Sequence, residues 1–409
     1  MLLVYNIVTR LYYLIIRIAA LFSNKANLAI AGRNGLLEQI KKDFYDSDLK
    51  TIWFHCASLG EYEQARPLIE KIKKLQPEYT IVLTFFSPSG YEVRKQNSVA
   101  DFTYYLPFDT ARNAKTFIDT IRPKYAFFIK YDLWYHYLSI LKKYQIEHFL
   151  ISAHFHPNQI YFKPYGIFFK NMLQDFTYIF CQYESGMHLL NKHGISKTIV
   201  SGDTRFDRVL THAQLVKPLP GIERFCNNQF VIILGSSYTH EENILADALA
   251  DIPMPCKIII APHEIHPERI KEIENKFAAY ETVRYADLNN QHQAQILIID
   301  NVGMLASAYQ YGNLSFVGGG FDKKGLHNLL EPLSMGNIVV FGPKNHERFP
   351  EAELMIQANL GYCVTNSNQL ISIIKTIAGE TKNRKELATQ FIRKHAGSTD
   401  IIYNNIFHQ

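Results

Sequence analysis

The sequence predicts an α/β protein with two doubly wound domains, each on a mostly parallel sheet, behind a membrane-associated N-terminal helix. Three observations carry this. Between residues 51 and 201 short apolar runs alternate with amphipathic stretches of helical period. Lys217-Pro218-Leu219-Pro220-Gly221 then reads as a linker, and the alternation restarts at Phe230. Before all of this come 22 largely apolar residues interrupted by two arginines. No internal repeat or low-complexity tract is present.

Length and composition agree. A chain of 409 residues has room for two ordinary domains, and with 47% hydrophobic and 20% charged residues it can bury sizeable cores. The net charge of +5 suits an anionic surface or substrate and falls short of a nucleic-acid-binding signature. The five cysteines are scattered, odd in number and never spaced C-x-x-C, which points to reduced thiols and away from a zinc site.

In chain order, the apolar segment 1–22 is long enough to span a bilayer. Arg10 and Arg17 lie seven residues apart, on one helical face, and two mid-segment arginines are costly in hydrocarbon. An interfacial helix is the favoured reading, with a true span or a helix packed on a partner as alternatives. No small-residue cleavage site follows Phe22, so a removed signal peptide is not expected. The expected boundaries are 1–24 for the anchoring helix, 25–215 for the N-terminal domain and 216–409 for the C-terminal domain, whose last helix is a candidate to pack back on the first. Residues 25–50 read as polar and helical. Strands are expected at 52–57, 80–86, 102–106, 125–131, 148–153, 177–181 and 198–201, then at 230–234, 257–261, 283–286, 295–299, 314–317 and 338–341.

Chemistry is expected where strands end, since open α/β sheets bind ligands at the carboxyl ends of their strands. After the first strand, Ser58 opens a helix with apolar Ala65, Leu68, Ile69 and Ile72 at helical spacing, which places Glu61 in its first turn. Ser58-x-x-Glu61 matches a capping box, and that structural role competes with a catalytic one. Gly60 costs helix stability, so close approach by a ligand is a reason for it. Ser87-Pro88-Ser89-Gly90 could expose amides to an anion or simply turn the chain. Lys130, Asp132 and Trp134 end another strand, as a site or as a structural ion pair. His154 and His156 lack the carboxylates a metal site would need. The aromatic and lysine residues from Tyr161 to Lys170 suit a lipid headgroup boundary, or an ordinary covering helix. Arg205 follows a strand and can hold a phosphate or carboxylate. In the second half, Ser236 and Ser237 form a strand-to-helix anion cradle. The His263-Glu264-Ile265-His266 spacing, with Pro267 after it, rejects a zincin site. Val302, Gly303 and Met304 make another strand-to-helix turn. Gly318, Gly319 and Gly320 would let backbone approach a ligand, without meeting G-x-G-x-x-G. Asn328 and Glu331 share a helical face.

The stretch from His55 to Ile72, reading HCASLGEYEQARPLIEKI, resembles the N-terminal signature of the bacterial Kdo (3-deoxy-D-manno-octulosonic acid) transferases of lipopolysaccharide synthesis. The block GGGFDKKGLHNLLEPLSMGNIVVFGP, from Gly318, resembles their C-terminal signature, and the similarity recurs along nearly the whole chain. The resemblance implies the GT-B glycosyltransferase fold, two Rossmann-like domains facing a cleft, the first for acceptor and the second for donor. It implies Glu61 as general base, with Asp132 and Arg205 orienting groups and stabilising charge. Asp132 stands where the family usually has glutamate, and Tyr135 and His136 replace the Pro-Asn that usually follows Trp134. An arginine is usual near His154. The 262–269 stretch resembles a Pro-Arg-His-Pro-Glu-Arg block on the cytidine nucleotide, with His263 in the arginine's place. Donor contacts are therefore expected at Pro262, His263, Val302, Gly303, Met304, Asn328, Leu329, Leu330 and Glu331, the last on the ribose. Ser58, Gly60, Ser236, Ser237, Gly319 and Gly320 are further cleft residues. The implied reaction is inverting transfer of Kdo from the co-substrate CMP-Kdo to a lipid A precursor, with no cofactor, no metal and no nucleic-acid partner, at the cytoplasmic face of the inner membrane. A GT-B enzyme using a UDP-sugar, as transferase or epimerase, and an inactive membrane-bound lipid-binding homologue are the alternatives.

Overall fold

The computed structural model describes the chain outside residues 46, 291–292, 323–324, 345, 380–383 and 409. It divides into two compact units, one joining Met1–Arg208 to His395–Gln409, the other Val209–Lys394. The division falls inside the helix Thr204–Leu215, upstream of the expected boundary at 215/216 and its proline-rich stretch.

The first unit holds β1 (Lys50–Cys56), β2 (Tyr79–Phe85), β3 (Phe102–Tyr105), β4 (Pro123–Ile129), β5 (Glu147–Ala153), β6 (Tyr178–Cys181) and β7 (Thr198–Val200). Their order is β3-β2-β1-β4-β5-β6-β7, with parallel pairing throughout. Both faces are covered, so β1 is buried on both. Ile52, Phe54 and Cys56 join one core layer with Ile69 and Phe127, while Trp53 joins the other with Phe117, Phe128 and Tyr137. Phe54 and Phe127 stack at 4.5 Å between ring centroids across the β1–β4 pair, a contact adding about 1 kcal/mol beyond area burial.

The second unit holds β8 (Phe230–Ser237), β9 (Cys256–Pro262), β10 (Thr282–Arg284), β11 (Ile296–Ile298), β12 (Leu314–Val317), β13 (Ile338–Phe341) and β14 (Gly361–Cys363). The order is β10-β11-β9-β8-β12-β13-β14, again parallel. β14 is absent from the sequence expectations. It is only Gly-Tyr-Cys, too short to make an apolar run, and pairing with β13 defines it.

In each sheet the strand order reverses beside the first strand: β4 pairs with β1 opposite β2, and β12 pairs with β8 opposite β9. Loops diverge at such a point and leave a crevice at the carboxyl ends of the two strands.

Two terminal elements complete the first unit. The helix Ser398–Phe407 sends Ile402, Tyr403 and Ile406 into the core layer under Phe54, and Asp207 accepts from the Thr399 amide at 2.8 Å and its hydroxyl at 2.7 Å. The N-terminal helix Leu2–Ala19 is anchored along one stripe. Tyr5 donates to Asp109 Oδ2 at 2.5 Å, the Asp109 amide donates to the Tyr13 hydroxyl at 2.6 Å, and Asn6 Oδ1 lies 2.7 Å from His136 Nε2. Away from this stripe Leu3, Ile7, Leu11, Leu14 and Ile18 are each more than half exposed, and Arg10 and Arg17 are exposed as well. Among the described residues it is the one helix long and apolar enough to cross a membrane.

Candidate active site

The crevice of the first unit is built from the ends of β1 and β4. After Cys56 the chain turns through Ala57 into the helix Leu59–Leu75, with extended Ser58 as N-cap. Ser58 makes no side-chain cap bond. Its hydroxyl donates instead to Glu61 Oε2 in a short hydrogen bond. The capping box expected from Ser58-x-x-Glu61 is therefore not formed, and the two side chains satisfy each other rather than backbone amides. Gly60 meets only Ser58 Oγ, at 3.7 Å from where a Cβ would stand, so no protein contact requires glycine there.

At the end of β4, Lys130 takes a left-handed backbone conformation, φ +62°. Such backbone is uncommon for a side-chain-bearing residue and gathers at functional sites. Its ammonium lies 3.9 Å from Glu61 Oε1. Asp132 Oδ2 lies 2.8 Å from Nε2 of His55, which is fully buried in β1. Burial first, then the charges of Glu61, Asp132 and Glu63, push the Cys56 thiol well up, and Tyr131 is raised by burial with Glu61 and Asp132. Glu63 is engaged by Arg94 and Arg208, both at 2.9 Å.

Arg205 is gripped by buried Asp203, whose Oδ2 receives Nε at 2.9 Å and Nη2 at 2.7 Å while Oδ1 receives the Arg205 amide at 3.0 Å. Burial, then the positive charge of His156, Lys130 and Arg205 against the opposing Asp203, pushes His154 down to about 4. Its Nε2 is buried without a hydrogen-bond partner among the described residues. The structure thus gathers Glu61, Lys130 and Asp132, and sets Lys130 and Arg205 each within electrostatic reach of His154. Ser87 accepts from the Ser89 amide at 3.3 Å, turn chemistry rather than an anion cradle.

In the second unit the side chains of several expected donor residues are buried. Leu329 and Leu330 are fully buried in the core, and Pro262 is buried at the end of β9. Ser237 is buried and donates to Glu242 at 2.9 Å. Each glycine of the 318–320 run is there for close protein packing: a Cβ would stand 2.0 Å from Ser236 O at Gly318, 2.1 Å from Gly325 O at Gly319 and 2.4 Å from the Gly342 amide at Gly320. Ser236 adopts φ +52° beside this contact. Asn328, one residue before the N-cap Leu329, accepts from the Leu330 amide at 3.0 Å, and Glu331 lies in the first turn of the helix Leu330–Ser334. Val302 is 86% exposed, and Gly303 turns at φ +93° before Met304. His263 is exposed, 5.0 Å by ring centroid from Tyr238 and 4.7 Å from His327, whose Nε2 lies 3.1 Å from the Tyr238 hydroxyl. Lys323 and Lys324 of the C-terminal signature lie outside the described residues.

Three sets of residues escaped the sequence reading. His55, with Thr84 and Trp53, was signalled only by a histidine inside an apolar strand. The ring cluster Tyr238–His263–His327 spans distant segments and left no local signal. Glu241 and Glu242, both fully buried, were signalled by two acids opening a helix after a glycine-ended strand.

Comparison with known proteins follows these residues. A family model described as 3-deoxy-D-manno-octulosonic-acid transferase (kdotransferase) matches residues 30–208. The 3-deoxy-D-manno-octulosonic acid transferase of Rickettsia bellii is 25% identical over 84% of this chain and 84% of its own length. That of Aquifex aeolicus is 26% identical over 85% of this chain and 95% of its length, and that of Chlamydia muridarum 27% over 85% and 83%. Two solved structures share the fold. UDP-GlcNAc 2-epimerase from Neisseria meningitidis has TM-score 0.63 at 12% identity, over 88% of this chain and all of its own. A glycosyltransferase from Rickettsia africae has TM-score 0.60 at 14% identity, over 88% and 99%. The two parallel sheets are those of the GT-B fold.

Two outcomes are expected from this geometry. Ser58→Ala removes a bond to a carboxylate but no cap, so it should cost less than about 1 kcal/mol in a thermal melt while lowering turnover about tenfold. His154 is held neutral in the fold below the ordinary histidine range, so the unfolded chain binds the extra proton between pH 6.5 and about 4. Its contribution is complete above that window and is lost as pH falls through it. Melting temperature should therefore drop less between pH 7 and 4.5 in His154→Gln than in wild type.

Proposed function

We propose that this chain, matched over residues 30–208 by the 3-deoxy-D-manno-octulosonic-acid transferase family model and similar to such transferases over most of its length, is a glycosyltransferase of lipopolysaccharide synthesis that moves Kdo from CMP-Kdo to a lipid A precursor with inversion at the anomeric carbon. The observation that carries this reading is the placing of Glu61 beside Lys130 and Asp132 at the β1–β4 switch point. A carboxylate in such a crevice can take the acceptor hydroxyl proton as the oxygen attacks. The new bond joins that oxygen to the anomeric carbon, the bond from that carbon to the phosphate oxygen breaks, and CMP departs with the electron pair. The Ser58 hydroxyl and the Lys130 ammonium orient the Glu61 carboxylate. Asp132, and Arg205 steered by Asp203, place charge around the reacting groups. CMP is a good leaving group, so the step needs no metal.

On the donor side, the exposed residues support the nucleotide role: His263 with its ring neighbours, the 302–304 turn, and Asn328 with Glu331. Leu329, Leu330 and Ser237 serve by shaping this half from within. The GT-B likeness to a UDP-sugar epimerase favours UDP as the competing nucleotide. Protection of the protein by CMP rather than UDP separates the two.

The N-terminal helix supports work at a lipid surface, on the cytoplasmic face of the inner membrane. One stripe is hydrogen-bonded to the first unit and the opposite face is apolar, the pattern of a helix lying in the interface. Phe168 packs against Tyr5 at 5.5 Å and Tyr135 at 5.0 Å, and Tyr165 and Ile167 beside it are exposed. This extends the apolar surface from the helix along the aromatic stretch.

Kdo transfer from CMP-Kdo to a tetra-acylated lipid A precursor, followed by product mass in detergent, tests the reaction. Glu61→Gln should lose about 10²- to 10⁴-fold in turnover with an unchanged melt. A variant that melts lower yet turns over normally would make Glu61 structural. The double variant Ile7→Asp, Leu14→Asp should lose co-sedimentation with anionic phospholipid vesicles without a change in melting temperature.

A further inference from the structure

We propose that His55 is the positioning residue for Asp132, holding its carboxylate through one proton between Nε2 and Oδ2, and that Trp134 competes for the same nitrogen. This rests on the reading of Asp132 as a group of the transferase site.

His55 sits in the interior of β1 with no exposure to solvent. Its Nδ1 lies 2.9 Å from Thr84 Oγ1 on the neighbouring strand. That oxygen also receives the Trp53 indole N–H at 2.8 Å and has Phe54 O at 3.4 Å. On the other side Nε2 faces two groups, Asp132 Oδ2 at 2.8 Å and the Trp134 indole N–H at 3.0 Å. Oδ2 is buried with no hydrogen-bond partner among the described residues, and Nε2 is the nitrogen that faces it at 2.8 Å.

An indole nitrogen only donates, and a neutral imidazole has one protonated nitrogen and one acceptor. If Thr84 turns its hydroxyl proton to Nδ1, then Nε2 carries the ring proton and donates it to Asp132. Trp134 then meets an N–H and is displaced. If Thr84 turns its proton to Phe54 O, then Nδ1 donates to Thr84 and Nε2 accepts from Trp134. Asp132 then faces a lone pair and loses its hold. Two acceptors cannot rest 2.8 Å apart without a proton between them. The grip on Asp132 is thus decided by one ring nitrogen, and Thr84, two bonds deeper, sets which arrangement prevails.

Trp53 and Trp134 are the two tryptophans of the chain, and both donate into this network. Intrinsic fluorescence therefore reports on it directly in the full-length, substrate-free protein. Asp132→Ala should shift the tryptophan emission, as Trp134 takes Nε2 unopposed. The same change made in a His55→Leu background should leave emission where His55→Leu alone puts it. In the Kdo-transfer assay, His55→Leu should lower kcat on the order of 10²-fold with the donor KM little changed. His55→Gln, whose amide N–H still reaches Asp132, should recover a substantial part. If His55→Leu fails to fold, Thr84→Val gives the same reading through a smaller fall in kcat and an altered emission. Equal loss in the Leu and Gln variants, or an Asp132→Ala emission shift indifferent to His55, would overturn the proposal. An emission shift that depends on His55 in a protein making no Kdo product would uphold the dyad while removing the transferase reading.

Discussion

The parallel pairing of β1 with β4 is the contact on which the first unit's site depends. Its register sets His55 beside Phe128 and Trp53 beside Ala126. The two strands therefore finish together, and the turns that leave them carry Glu61 on one side and Lys130 to Asp132 on the other. Because β2 flanks β1 opposite β4, the two turns diverge instead of covering each other. A one-residue slip would exchange the two core layers across the sheet and carry His55 away from Asp132. The Phe54–Phe127 stack on one face and the Trp53–Phe128 contact on the other resist that slip.

An apolar strand holding a histidine and facing a threonine pays for those polar groups only if each finds a partner. Here partners come in sequence: Trp53 to Thr84, Thr84 with His55, His55 with Asp132 or Trp134. The arrangement is satisfied up to its last link, where two claimants meet one nitrogen. That mismatch stands at the edge of the crevice, where a substrate group could settle it. The left-handed backbone of Lys130 adds local strain at the same strand end.

The strands were legible because a parallel sheet covered on both faces needs continuous apolar runs, and those were written plainly from Ile52 to Phe341. β14 was not, since three residues opening on glycine make no run. The candidate site was legible only as positions that follow strands: Glu61, Asp132 and Arg205 each come shortly after a strand end. It was illegible where tertiary partners decide. Ser58 and Glu61 have capping-box spacing, yet bond to each other. The three glycines at 318–320 suggest room for a ligand, and the room is filled by the backbone of residues 236, 325 and 342. Leu329 and Leu330 share a motif with Asn328 and Glu331 but point into the core. His55 looked like one letter of a motif, and only the strand pairing reveals that it reaches Asp132.

Each unit also shows how burial assigns a role to the same topological position. The first strand of either sheet ends in a turn, and the next helix opens with an acid, Glu61 in the first unit and Glu241 with Glu242 in the second. Glu241 has no exposed surface, is raised by burial, and accepts from the amides of Gly319 at 2.9 Å and Tyr238 at 3.1 Å. Glu242 binds Ser237, Arg269 and Lys276. Glu241 is consumed in fixing the Gly-rich turn and Glu242 in binding Ser237, Arg269 and Lys276, and neither has an open side from which to accept a substrate proton. Glu61 keeps 17% of its side chain exposed, its nearest cation 3.9 Å away and one hydroxyl on Oε2. A carboxylate with a free face and loosely held charge can accept a proton, and one saturated by amides and cations cannot. The difference lies in what the fold packs over the turn, and an acid left with an open face in the first unit is what favours Glu61 for the proposed role of general base.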